Sequence, residues 1–174
     1  MKIAVIGAGT IGKIHLESYK KISRHNIIIF DADENQAKDA ANQFGFDWTA
    51  SFDDILNSDV EIIDICLPTF LHEEYTIKAA EAKKHVFCEK PIANNVKAAQ
   101  RMLKICKKNN VKLGIGMVVR FFPEYQAVKD SYQEGVIGKA GIINSFRGGG
   151  GYPSGWNDWY SNDDLSGSIV VDLL

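Results

Sequence analysis

Apolar residues in this chain gather in short unbroken runs separated by segments of helical spacing. Residues 3–6, 26–30, 62–66 and 85–88 are nearly all apolar and rich in β-branched side chains. They lack the alternation of a strand with one wet face, which predicts strands buried on both faces of a sheet. Residues 47–49 read as a short third strand and 112–118 as a sixth. Between these runs, apolar positions recur at helical spacing over 14–23, 34–44, 52–56, 71–82 and from Asn94 or Asn95 to about 109. Gly45 suits a left-handed helix end, and Ser51 and Asn94 or Asn95 suit N-caps. Strands alternating with helices predict βαβ units, a parallel sheet and right-handed crossovers.

The rhythm breaks after Val119. A helix is expected from about Pro123 to 133, interrupted by Gly135 and Gly138, and a strand over 140–147. Residues 148–151 are all glycine, 152–164 hold Trp156, Trp159 and Tyr160 among turn residues, and 168–174 are mostly apolar. The expected division is therefore residues 1–119 and an incomplete second domain over 120–174. A piece of that size buries little core unless it packs on the first domain or on another chain.

The first run leads into Gly7-Ala8-Gly9-Thr10-Ile11-Gly12, which matches G-x-G-x-x-G between a strand and a helix. Gly7 permits the turn, Gly9 lets a pyrophosphate approach the backbone, and Gly12 lets the helix sit close to the sheet. The amides of Thr10, Ile11 and Gly12 open that helix, whose positive end favours phosphate. The second strand ends in Asp31, nineteen residues beyond Gly12. A carboxylate there accepts hydrogen bonds from the adenosine ribose and repels a 2′-phosphate. No Lys or Arg follows directly, so NAD is expected over NADP. Together these features specify an α/β fold of Rossmann type, a doubly wound parallel sheet that binds a dinucleotide.

Bulk composition narrows the alternatives. The 174 residues are 45% hydrophobic and 24% charged with a net charge of −2, ordinary for a globular protein. Nothing favours nucleic acid or an anionic membrane surface. No apolar run is long enough to span a bilayer, and the chain enters a core strand at residue 3 with no room for a signal peptide. A cytoplasmic location is expected. Cys66, Cys88 and Cys106 lack metal-ligand spacing and read as free thiols, and no metal is expected. His15 falls in the first helix and is expected on its surface.

The fifth run passes into Cys88-Glu89-Lys90-Pro91. Carboxyl ends of strands in an open α/β sheet face the ligand crevice, which puts Lys90 near a cofactor's reactive ring. Pro91 keeps Lys90 out of helical geometry. A surface Glu–Lys pair before a proline turn is the plainer alternative.

These segments, with Leu67-Pro68-Thr69-Phe70-Leu71-His72, Arg120-Phe121 and Gly135-Val136-Ile137-Gly138, resemble the Gfo/Idh/MocA family, the glucose–fructose oxidoreductase and inositol dehydrogenase group. The resemblance covers the whole chain, and Glu89-Lys90-Pro91 is its most specific element. It implies a Rossmann domain followed by the start of an α+β domain with an open antiparallel sheet. It implies hydride transfer between nicotinamide and a carbinol of a sugar, inositol or related polyol, in a homo-oligomer. Pro68, Thr69 and His72 would border the cofactor, although His72 reads equally as a packed first-turn helix residue. Glu89 and Lys90 would lie near the nicotinamide ribose, with Lys90 also bonded to the reacting oxygen. Arg120 would contact ligand or form an ion pair at the domain boundary.

In the same resemblance, residues 165–172 supply a glycine turn and Asp172, which would orient a histidine general base four residues further on. The chain stops at Leu174, before that position, so a piece of a longer protein is expected. The competing readings are a non-catalytic NAD-binding regulator and a fold fragment without activity of its own. Tyr152, Trp156 and Trp159 would line a sugar pocket or pack a loop.

Overall fold

The computed structural model describes residues 1–22, 26–146 and 156–167. Its strands are β1 (Lys2–Ile6), β2 (Asn26–Phe30), β3 (Asp47–Thr49), β4 (Ile62–Ile65), β5 (His85–Glu89) and β6 (Leu113–Gly116). They form one sheet in the order β3-β2-β1-β4-β5-β6, and every neighbouring pair is parallel. The helices are α1 (Thr10–Ile22), α2 (Glu34–Phe44), α3 (Phe52–Leu56), α4 (His72–Glu81), α5 (Val96–Lys108), α6 (Pro123–Gln133) and α7 (Asp163–Ser166). Short 3-10 turns cover Thr69–Leu71, Val118–Phe121 and Trp156–Ser161.

Side chains alternate across each strand, so one sequence feeds two cores. Ala4, Ile6, Ile63, Ile65, Val86 and Cys88 share a core with Phe52 and Ile55 of α3, Ala79 of α4, and Ala98 and Met102 of α5. Ile3, Val5, Ile27 and Ile29 pack on the other face with Leu16 of α1 and Ala37, Ala40, Ala41 and Phe44 of α2. This is why the strands read as continuous apolar runs. Fully burying a side chain such as Ile63 or Leu16 contributes about 1.5–3 kcal/mol.

The expected caps form. Asn95 accepts a hydrogen bond from the Ala98 amide at the start of α5, and Ser51 accepts one from Asp54 at the start of α3. Gly45 ends α2 with φ 76°, in the left-handed region. A 3-10 turn precedes α4, which therefore begins at His72.

Beyond β6 the expectation of a strand is corrected. Residues 140–146 adopt no regular secondary structure, and Arg147 lies outside the described residues. A strand needs a neighbour to take its backbone hydrogen bonds, and none of the described strands pairs with this segment. Ile142 and Ile143 are each 84% exposed and Phe146 is 96% exposed. Helix α6 forms where expected, with Pro123 in its first turn, but buries none of its residues. The turn and helix over residues 156–167 were not legible in the sequence. Trp159 is buried there, with its ring edge-on to Phe70 at 6.4 Å between centroids. Among the described residues, no helix is long and apolar enough to cross a membrane.

Candidate dinucleotide site

The expected site residues that the structure describes gather at one end of the sheet, at the carboxyl ends of β1, β2, β4 and β5. In the strand order above, the chain reverses direction of progress between β1 and β4. Open α/β sheets bind ligands in the crevice at such a switch point.

The three glycines have separate local causes. Gly7 turns off β1 with φ 99°, and its amide donates to the Phe30 carbonyl at 2.8 Å. A Cβ on Gly7 would lie 2.7 Å from the Cys66 carbonyl oxygen, so the turn is pressed against the end of β4. A Cβ on Gly9 would meet no protein atom within 4 Å. Gly9, Thr10 and Ile11 are exposed, and α1 opens at Thr10. The amides of a first helical turn have no intrahelical acceptor. An open cradle backed by such amides fits a pyrophosphate.

Asp31 leaves the end of β2 and reaches back to this turn. Its Oδ2 accepts the Ala8 amide at 2.7 Å and its Oδ1 accepts the Asp33 amide at 2.9 Å. These bonds anchor the carboxylate beside the glycine turn. Pro68 and Thr69 leave the end of β4, with Thr69 buried. His72 is fully buried: Nδ1 lies 2.8 Å from the Pro91 carbonyl oxygen and Nε2 lies 2.8 Å from that of Leu67. Burial pulls its pKa down, against the opposing effect of the two carbonyls. With no exposed ring atom, His72 supports the loops after β4 and β5 from behind, which favours the packed alternative.

Glu89 ends β5. Its Oε2 accepts the Lys90 amide at 3.0 Å, and the Lys90–Pro91 peptide is cis. Lys90 is partly buried and engaged with its surroundings. Asp172, Tyr152 and the side chain of Trp156 lie outside the described residues.

One expectation is overturned. His15 does not sit on the surface of α1. Its Nδ1 lies 2.9 Å from Asp64 Oδ2 and its Nε2 lies 3.1 Å from Glu89 Oε1. Burial disfavours the charged ring, but the hydrogen bonds and charges of Asp64 and Glu89 outweigh it and raise the pKa to about 10. Tyr19 donates to the same Asp64 oxygen at 2.8 Å, and Cys66 Sγ lies 3.3 Å from His15 Nδ1. Cys66 is thus part of a polar cluster, with its thiol pushed up by burial and by the charges of Asp64 and Glu89. A signal was available: Asp64 is the one polar residue of β4, and a buried charge needs a partner.

A parallel sheet in this order, with a glycine turn on β1 and an anchored carboxylate at the end of β2, defines a dinucleotide-binding Rossmann domain. The chain belongs to the oxidoreductase family with an NAD-binding Rossmann fold, GFO_IDH_MocA, whose pattern matches residues 1–117. It is 34% identical to myo-inositol 2-dehydrogenase of Thermotoga maritima over 146 residues, covering 82% of this chain and 44% of that protein. It is 32% identical to 2,7-anhydro-N-acetylneuraminate hydratase of Escherichia coli over 146 residues, covering 83% of this chain and 39% of that one. A solved levoglucosan dehydrogenase, in complex with NADH and levoglucosan, aligns with 99% of this chain and 50% of its own at TM-score 0.81 and 27% identity. The chain thus spans less than half the length of these two sequence relatives.

Proposed function

We propose that this chain is the NAD-binding portion of an oxidoreductase that moves hydride between nicotinamide and a carbinol of a sugar, inositol or related polyol. The observation that carries the proposal is the placement of Lys90. It follows directly from the carboxyl end of β5, at the same sheet end as the glycine turn, with its amide bonded to Glu89. A protein that only bound NAD would need the glycine turn and Asp31, but no lysine held there.

Bound NAD would supply the hydride acceptor or donor. The amides from Gly9 to Gly12 would hold the pyrophosphate, and Asp31 the adenosine ribose. Pro68 and Thr69 would border the cofactor, with Glu89 and Lys90 nearest the nicotinamide ribose. Lys90 would hydrogen-bond the reacting oxygen and assist the proton's departure. Asp172 is proposed to orient the general base. Residues 1–119 form the cofactor domain in this reading, and residues 120–174 begin a domain for substrate and oligomerisation.

The test compares wild type with Lys90→Ala in NAD(H) titrations and in assays with a panel of inositols and sugars. The assays follow both NADH and sugar consumption, because one relative is a hydratase. NAD(H) binding is expected to survive in Lys90→Ala within about threefold, while any turnover falls about 10²–10⁴-fold, as for acid–base groups. Loss of NAD binding in Lys90→Ala would make the lysine a structural anchor. NAD binding with no conversion of any sugar, by this chain or by a longer form with a histidine four residues after Asp172, would favour the regulator.

A further inference from the structure

His15, Tyr19 and Asp64 have no part in the function proposed above, yet they form a polar cluster around a fully buried carboxylate. His15 and Tyr19 are one turn apart on α1, so both face the sheet. Asp64 lies on the α1 side of β4 with no exposed surface. Ionised carboxylates only accept hydrogen bonds, and both His15 ring nitrogens lie within bonding distance of one. Both nitrogens therefore donate, and the ring is an imidazolium between two acids.

Glu89 is the link to the reacting end. One of its oxygens takes the His15 ring and the other takes the Lys90 amide. β6 leaves room for this: a Cβ on Gly116 would lie 2.7 Å from Glu89 Oε1. On the far side, His72 holds the carbonyl of Pro91. Lys90 is thus flanked by two anchored groups, one leading back to α1, the helix that opens on the glycine turn.

We propose that His15 is a positioning residue for Lys90: as a bridging imidazolium it holds Glu89 in the rotamer that captures the Lys90 amide. The proposal rests on the reading of Lys90 as the group at the reacting carbinol. The arrangement ties the pyrophosphate helix to the reacting lysine through the side chains of His15 and Glu89. Removing the ring would leave two carboxylates facing each other without a cation, and Glu89 would turn away.

The experiment uses nitrogen-15-labelled chain and two variants, His15→Gln and Gly116→Ala. In wild type at pH 8, both His15 ring nitrogens are expected to show protonated shifts. In both variants, hydrogen exchange at the Lys90 amide should speed by about tenfold or more, while Ile6 and Ile63 stay within about twofold. Gly116→Ala displaces the Glu89 carboxylate without removing a charge, so it decides the matter if His15→Gln does not fold. A bare ring nitrogen at pH 8 would overturn the proposal. So would unchanged Lys90 exchange in Gly116→Ala, or equal acceleration of all amides in His15→Gln. Adding NAD+ to wild type tests the underlying reading separately. If the Gly9 and Gly12 signals shift and that of Lys90 does not, Lys90 loses its place beside the cofactor, and the exchange data alone judge the link from His15 to Lys90.

Discussion

A Cβ built on Gly12 would lie 1.9 Å from the carbonyl oxygen of Gly7. The first turn of α1 is therefore packed directly on the turn that leaves β1, with no space for a methyl group. Gly9, between them, faces open space. Two glycines of one motif thus differ in their surroundings: one is needed for packing, and the other is proposed to leave room for the ligand. Gly12→Ala should destabilise the fold by about 1–3 kcal/mol or more, as overpacking against backbone does. Gly9→Ala should keep the melting temperature within about 2 °C and weaken NAD+ binding at least about tenfold. Thermal melts and NAD+ titrations on both variants check the contrast.

Asp31 is expected to set cofactor preference. NAD+ should bind more tightly than NADP+, because a 2′-phosphate would meet an anchored carboxylate. Asp31→Ala should weaken NAD+ and narrow the difference. It also removes the acceptor of the Ala8 and Asp33 amides, so some loss of stability should accompany it. Calorimetric titration with both cofactors is the check, and equal binding by wild type would count against this role.

Stability should decline through the alkaline range because of His15. An unfolded histidine titrates near 6.5, whereas the folded ring, facing Asp64, Glu89, Tyr19 and Cys66, titrates at about 10. The folded state therefore holds a proton that the unfolded state has lost. That stabilisation is complete below about pH 6.5, shrinks as pH rises, and is gone above about pH 10. Urea midpoints between pH 6 and 10.5 should show the decline in wild type. The part due to this ring should vanish in His15→Gln.

The region after β6 should promote self-association. Phe121, Val128, Val136, Ile142, Ile143 and Phe146 are all more than half exposed. Exposed apolar side chains in such number favour contacts between chains. Light scattering of the 174-residue chain should show mass rising with concentration in the micromolar range. Replacing Phe121 and Val128 with Ser should lower it. A monomer at every concentration would show that these side chains find no partner in a second copy.

The sequence by itself determined the sheet and the outline of the site. Its strands are continuous apolar runs because both faces are covered, and its caps and glycine turn act through neighbours within a few residues. Such local rules were enough to locate Gly7, Gly9, Gly12 and Asp31, and to place Lys90 at a strand end. Only the tertiary structure decided what His15 does. Its partners Asp64 and Glu89 lie 49 and 74 residues away, and no helical pattern records which acids a ring will meet. Tertiary structure also decided the fate of residues 140–146, because β-branched residues become a strand only beside another strand, and none of the described residues provides one. It put His72 behind the loops, since burial is settled by what packs on a side chain from elsewhere in the chain.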